Sequence, residues 1–369
     1  MKDVYLANDA TGLAALVAKG QVAPAELLDV AVDLVAELNP QLNAVVHLQK
    51  EVALGAIAAG LPEGPFHGVP FLMKDLGAEA KDFPTNNGSK LTEGSVWSYD
   101  SEIYLRMKAA GLVPFGRTTS PEMGVGPVTE AQVYGGPTRN PWHLERTSGG
   151  SSGGAGAVVA AGIVPAAHGS DGGGSVRIPA ASCGLVGFKP TRARFPDGPA
   201  SGEGWAGMAI DGFLTRSLRD TAALMDAVNG PDLGAPYYPP PMEGTFVEAM
   251  TRKTGPLRVA LCPTTLSGGT IHPDCVTAVE KTGRLLADLG HKVDDFNLPE
   301  GLDVEAMMAA WTRIVACGTA LSVRSILAGK PLDPAMIEGV TRGALNLADT
   351  LSGADYLAAV NAIHAFGRR

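Results

Sequence analysis

Gly149-Gly150-Ser151-Ser152-Gly153-Gly154 and, further on, Gly169-Ser170-Asp171-Gly172-Gly173-Gly174-Ser175-Val176-Arg177-Ile178-Pro179 decide how this chain reads. Between them lie Ala155 to Ala161, a helix of small residues, and Ile163 to Ala167, a short strand candidate. The order is glycine loop, helix, strand, second glycine loop. A flexible linker is the ordinary reading of a glycine run. Ordered apolar segments flank both runs closely and argue against it here. Three glycines before Ser175 allow close approach of a ligand and let successive N–H groups point into one spot. A nest of that kind, from Gly172, Gly173 and Gly174, can hold the oxyanion of a tetrahedral intermediate. A phosphate loop is disfavoured, because G-x-x-x-x-G-K-[ST] is absent.

A serine hydroxyl needs a base beside it to act as a nucleophile at neutral pH. Lysine serves if desolvation keeps its amine uncharged. Lys74 follows the apolar run Val69 to Met73, read as a buried strand, and so is a candidate. Taken alone, it reads more simply as a surface lysine at a strand end. Asp171 and Arg177 bracket the Ser175 loop and are expected to pin it by charge-assisted hydrogen bonds. The plainer alternative is a solvated pair of little value.

Outward from this centre, apolar spacing predicts an N-terminal helix around Leu13 to Val17. A second begins at Pro24 and is stopped by Asn39-Pro40. Leu105 to Ala110 reads as helix and Gly111 to Gly116 as strand. Leu257 to Leu261, Thr277 to Leu289, and the extended piece from His291 continue the alternation. Val304 to Ala328 and Pro334 to Phe366 read as mostly helical. Helix and strand in alternation predict an α/β sheet layered by helices. No internal repeat or long linker divides the chain, so one domain over 1–369 is expected.

Composition narrows the function. Of 369 residues, 45% are hydrophobic and 18% charged, which fits a folded globular protein. The formal charge is -9 with no Lys/Arg cluster, against a nucleic-acid partner. Cys183, Cys262, Cys275 and Cys317 form no C-x-x-C pair, so neither a zinc site nor a disulfide framework is expected. The apolar stretches read as too short to cross a membrane, and Met1 to Tyr5 lacks a signal-peptide pattern. The expected setting is a cytoplasmic enzyme without metal or cofactor.

The two glycine loops, Gly68-Val69-Pro70-Phe71-Leu72-Met73-Lys74-Asp75, and Gly135-Gly136-Pro137-Thr138-Arg139-Asn140-Pro141-Trp142 together resemble the amidase signature family. The resemblance runs from the N-terminal helices to about Val315. It implies a central mixed, twisted sheet covered by helices on both faces. It implies Ser175 as nucleophile, Ser151 as a bridging serine on a cis peptide, and Lys74 as terminal base. The implied reaction is hydrolysis of linear or cyclic amides through an acyl-enzyme, with a small-molecule amide and water as partners. A homodimer is among the expectations. Within the family the chain looks most similar to the 6-aminohexanoate cyclic dimer hydrolases, the nylon-oligomer branch. Cys317 is then a candidate substrate contact, against the more ordinary reading of an inert core cysteine.

The chain departs from the family pattern at three places. Gly172 stands where relatives often have Thr. Arg117 and Thr119 stand where they usually have Lys and Asn, which predicts an altered substrate-facing wall. The sequence stops at Arg369, before a C-terminal part usual in the family, and a fragment is one reading of that. Two rivals remain. Gly149-Gly150-Ser151-Ser152-Gly153 also fits the G-x-S-x-G of an α/β-hydrolase esterase, with His272, His291 or His364 as base. A catalytically inactive protein of the amidase fold is the other.

Overall fold

Pro70-Phe71-Leu72-Met73-Lys74 is a wholly buried strand near the middle of a six-stranded sheet. The computed structural model describes residues 1–296 and 301–369. The sheet is built from β1 (Val45–Val46), β2 (Pro70–Lys74), β3 (Val113–Thr118), β4 (Ala166–Asp171), β5 (Val186–Phe188) and β6 (Ile210–Thr215). Its spatial order is β1-β3-β2-β4-β6-β5. β2 runs parallel to β3 and β4, whereas β6 is antiparallel to β4 and β5, and β1 is antiparallel to β3. The sheet is therefore mixed. β2 and β3 are buried on both faces and read as near-continuous apolar runs, as doubly covered strands do.

Helices supply the cover. α1 (Pro24–Leu42) packs on β2, α2 (Gly153–Ala160) on β2, β3, β4 and β6, and α4 (Leu218–Val228) on β6, while the short α3 (Arg177–Cys183) lies against α2 and β5. One apolar core joins Leu27, Leu28 and Leu34 of α1 to Phe71 and Met73 of β2, Val158 and Val159 of α2, and Phe213 of β6.

Three boundaries differ from the sequence reading, each for a local reason. β2 begins at Pro70 and extends to Lys74, because the Val69 N–H closes a turn onto the Phe66 carbonyl. At the other end, Lys74 pairs with Thr118. β4 begins at Ala166 and runs through Asp171, beyond the expected Ile163 to Ala167. The N–H groups of Gly162 and Ile163 are committed to the carbonyls of Val159 and Val158, closing α2. α1 passes through Pro40 to Leu42. A proline in a last turn removes only one helix bond. The Asn39 side chain accepts from the N–H groups of Ala44 and Val45 just beyond the helix end.

The chain divides into two compact units, Met1–Met250 with Thr319–Leu345, and Thr251–Gly318 with Asn346–Arg369. The first holds the sheet. The second has two parallel strands, Arg258–Leu261 and Lys292–Asp295, with the helix Pro273–Asp288 between them in sequence. The helix Val304–Leu327 is long and apolar enough, by length and composition, to cross a membrane. The expectation that no stretch meets that criterion is therefore corrected. Its residues Ala310, Ile314, Val315, Ala320 and Val323 are buried, as on the inner side of a packed helix.

Candidate active site

Lys74 is carried to the centre of the site because β2 is a buried strand with a lysine as its last residue. Its side chain is fully buried, and its Nζ lies 2.7 Å from Ser151 Oγ and 3.0 Å from Ser170 Oγ. Burial, the dominant influence, drives the Lys74 pKa down to about 7, against the carboxylates of Asp211 and Asp171, which raise it. Near neutral pH much of the population therefore carries an uncharged amine. Such an amine has two N–H donors and one lone pair. With one N–H donated to Ser170, the lone pair is available to the hydroxyl of Ser151.

Ser151 stands at a backbone turn that its neighbours define. The Gly150–Ser151 peptide is cis. Thr129 Oγ1 donates to the Gly149 carbonyl and accepts from the Gly153 N–H, so one threonine holds both ends of the loop. A Cβ on Gly150 would fall 2.7 Å from the backbone of Val128. That close approach explains why the position is glycine.

Ser175 lies just before α3, and the Ser152 N–H donates to its carbonyl at 3.1 Å. This bond ties the two glycine loops together. Ser175 is half-buried, Ser151 is 2% exposed and Lys74 is 0% exposed. The three therefore run from the surface inward, with Ser175 outermost. Ser175 Oγ makes no hydrogen bond among the described residues.

Asp171, at the end of β4, is buried and receives five hydrogen bonds. Arg177 donates from Nε at 2.9 Å and Nη2 at 2.8 Å, and the N–H groups of Gly174, Val176 and Arg177 donate at 2.7, 3.1 and 3.3 Å. Burial pushes the Asp171 carboxyl up, but the bonds from Arg177 and the backbone outweigh it and hold the pKa below the ordinary carboxylate value. The ion pair is thus a clamp on the turn that carries Ser175, with Arg177 half exposed and Asp171 at its buried end.

The clamp also revises the oxyanion nest. The Gly174 N–H is committed to Asp171 Oδ1, so it is not aimed at a ligand. No acceptor is found for the N–H of Gly173 or Ser175 among the described residues. Gly172 is fixed from the side: a Cβ there would sit 2.5 Å from the ring of Trp205.

A second correction concerns Arg117 and Thr119. Both are fully buried. Arg117 donates to the carbonyls of Lys74, Gly77 and Ala78, and Thr119 shares a hydrogen bond with Thr138. Arg117 supports the chain around Lys74 and Thr119 the chain at Asn43, Ala44 and Thr138, and neither forms a substrate-facing wall. Cys317 is half-buried and belongs to the second unit, on the helix Val304–Leu327, whose residues from Thr319 on belong to the first, as do Lys74, Ser151 and Ser175.

Several residues of the site escaped the sequence reading. Ser170 and His168 alternate along β4 and face β2, a placement hidden while the strand was expected to stop at Ala167. Asp75 is buried directly after Lys74. It accepts from Thr85 Oγ1 at 2.6 Å, from Tyr134 Oη at 2.5 Å and from the Asn86 N–H. The polar stretch around Asn86 is thereby tied to the end of β2. The histidines of the esterase reading are otherwise engaged. His272 Nδ1 accepts from the Asp274 N–H and His291 Nδ1 from the Leu257 N–H, and His364 is exposed. The basic group in contact with Ser151 Oγ is the Lys74 amine.

Known proteins resemble this chain over most of its length. The Amidase family model matches residues 26–345. The 6-aminohexanoate-cyclic-dimer hydrolase of Paenarthrobacter ureafaciens is 38% identical over 368 residues, 98% of this chain and 74% of that protein. The acylamidase of Rhodococcus erythropolis is 36% identical over 318 residues, 84% of this chain and 65% of its own length. Among solved structures, a substrate complex of 6-aminohexanoate cyclic dimer hydrolase superposes with a TM-score of 0.92 at 35% identity, covering 98% of this chain and 76% of that one. A bacterial aryl acylamidase of the amidase signature family gives 0.87 at 28% identity, covering 98% and 78%.

Proposed function

Because the chain belongs to the amidase signature family and is an amide hydrolase, we propose that it cleaves amides through an acyl-enzyme on Ser175, with Ser151 relaying protons to a neutral Lys74. The observation that carries this reading is the buried amine of Lys74, with its pKa near 7, at 2.7 Å from the Ser151 hydroxyl. A lysine so placed is a base matched to neutral pH.

The relay conserves protons. Lys74 Nζ takes the Ser151 proton as Ser151 Oγ takes the Ser175 proton, and Ser175 Oγ bonds to the amide carbon. The carbonyl oxygen becomes an oxyanion, held by the N–H groups of Gly173 and Ser175. As the C–N bond breaks, the lysine proton returns through Ser151 to the leaving nitrogen. Water then enters along the same path and releases the acid. The roles of the Asp171–Arg177 pair and the glycine loop are to hold this turn still while charge develops.

For the substrate we propose a cyclic or linear amide of the 6-aminohexanoate type. Its support is the identity to relatives of that name over nearly the whole of this chain. The experiment is a labelled alkyl fluorophosphonate followed by an amide panel containing 6-aminohexanoate cyclic dimer, its linear dimer and a simple anilide. Labelling at Ser175, its loss in Ser175→Ala, and turnover of at least one amide are expected. Labelling that survives in Ser175→Ala would refute the nucleophile. Labelling at Ser175 without turnover of any amide would mark a protein of this fold that no longer hydrolyses.

A further inference from the structure

β4 and β6 are antiparallel, with His168 opposite Phe213 and Ser170 opposite Asp211. Paired residues across a ladder project to the same side, and so do residues two apart along a strand. His168, Ser170 and Asp211 therefore share one face, the face that meets Lys74. Ser170 accepts from the Lys74 amine. His168 is fully buried, and its Nδ1 accepts the Lys74 backbone N–H at 3.3 Å. An accepting Nδ1 leaves the proton of the neutral ring on Nε2. That Nε2 is 3.2 Å from Asp211 Oδ1, off the line of a good hydrogen bond and with no other partner. The ring edge thus lies against the carboxylate.

Two carboxylates act on the Lys74 amine, and they are not alike. Asp171 is matched by the fork of Arg177. Asp211 has no lysine or arginine partner among the described residues, and it is the larger of the two charge influences on Lys74. The other ionisable groups facing Asp211 are Glu79 and Asp197, and Arg117 lies toward Glu79. Glu79 is pushed up by burial, and Asp197 is pushed up to about 7 by burial and by Asp211 and its other acidic neighbours. Asp211 is thus the unmatched charge next to the base.

We propose that Asp211, which lies beside His168, is a positioning residue that stabilises the cationic form Lys74 takes on during each proton transfer and so sets both its strength as a base and the pH at which it works. The proposal rests on the Ser175–Ser151–Lys74 reading. It adds a residue that touches neither substrate nor the attacking oxygen.

The test is the pH dependence of Ser175 labelling by an alkyl fluorophosphonate, which needs no knowledge of the substrate. In that reaction Ser175 Oγ bonds to phosphorus, fluoride leaves, and the serine proton passes to the relay. The wild-type rate rises with pH as Lys74 loses its proton. In Asp211→Asn the rise moves to lower pH by about one unit, because the ammonium has lost a favourable neighbour. The plateau drops roughly 3-fold or more, because the amine is a weaker base. Asp211→Glu restores the charge and brings the rise back toward the wild-type position. Asp197→Asn leaves the rise in place. A residue that merely supports the fold would lower the rate without moving the profile. An unmoved profile in Asp211→Asn, or a rise abolished by Asp197→Asn, overturns the proposal. Should Asp211→Asn fold poorly, Asp211→Glu with a profile shifted as if uncharged overturns it equally. Failure of the underlying reading looks different: Lys74→Ala would then label as fast as wild type with the same pH profile.

Discussion

Replacing Lys74 with methionine should remove activity and, at mildly acidic pH, make the protein more stable. In the unfolded chain the lysine keeps its proton up to about 10.5, whereas the folded protein lets it go at about 7. Between those values the unfolded state binds more protons, so native stability rises with pH. Below about 7 both states are protonated and the cost of burying the ammonium is constant. At about 1.4 kcal/mol per pH unit, the full cost is ~5 kcal/mol. Methionine fills similar space without charge, but it strands the hydroxyls of Ser151 and Ser170, at a pH-independent loss of ~1–2 kcal/mol. Lys74→Met should therefore exceed wild type by ~3 kcal/mol at pH 6, and the margin should shrink by about as much, to near zero, by pH 9. Urea titrations at pH 6, 7.5 and 9 read this directly. Trp97, Trp142 and Trp205 report on the first unit by fluorescence, alongside Trp311 in the second. A stability difference that does not change with pH would refute the claim that this amine is held uncharged by burial.

Three further outcomes follow from contacts around the relay. Gly172→Val drives a side chain into the Trp205 ring, and an overpacked contact costs ~1–3 kcal/mol; a lowered Tm and an altered near-ultraviolet circular dichroism signal should appear together. Arg117→Lys cannot reproduce the fork that serves the carbonyls of Lys74, Gly77 and Ala78. Leaving buried carbonyls short of donors should cost ~2–4 kcal/mol by urea titration and slow Ser175 labelling. Arg177→Met leaves Asp171 as a second unmatched carboxylate near Lys74, so the ammonium persists to higher pH and the rise of labelling with pH should move upward. The same variant strips Asp171 of the bonds that hold its pKa below the ordinary carboxylate value. Stability that the ionised Asp171 contributes at neutral pH, and that is lost as pH falls through its folded pKa, should then be smaller in an acid titration.

The sheet and its serines were legible because their signals are local. Glycine before Ser175, a proline at the first turn of α1 and an apolar run ending in Lys74 each imply a backbone shape without reference to distant residues. The environment of Lys74 was not legible, because it is assembled across strands. Ser170 reaches the amine of Lys74, and His168 its backbone N–H, only if β4 runs to Asp171, and the closing hydrogen bonds of α2 displace the strand in that direction. Asp211 is farther still in sequence, and it joins the group through the β4–β6 register alone. Arg117 misled for a related reason. A charged residue in a strand suggests an exposed position, yet the two terminal nitrogens of its guanidinium donate to the carbonyls of Lys74, Gly77 and Ala78, at and just past the end of β2. The glycine nest was read correctly as permissive backbone, but which N–H groups stay open depends on Asp171, whose two oxygens collect three backbone donors as well as Arg177.

In the proposed relay a lysine base faces opposing requirements, and the arrangement of charges around Lys74 answers both. It must be neutral to accept a proton and must tolerate the positive charge once it has one. Full burial meets the first requirement and works against the second. Two bare carboxylates would meet the second and leave the amine permanently charged. Here one carboxylate is matched by a half-exposed arginine and the other lies beside His168 without a lysine or arginine partner among the described residues. Arg177 then has a consequence beyond anchoring the Ser175 turn: by muting Asp171 it permits Asp171 to organise the nest without fixing the proton on the base. The same carboxylate can hold the Ser175 loop and lie near the lysine only because a cation stands on its outer side. The opposite displacements expected for Asp211→Asn and Arg177→Met are the signature of that division, since a site governed by burial alone would leave the pH profile unmoved in both.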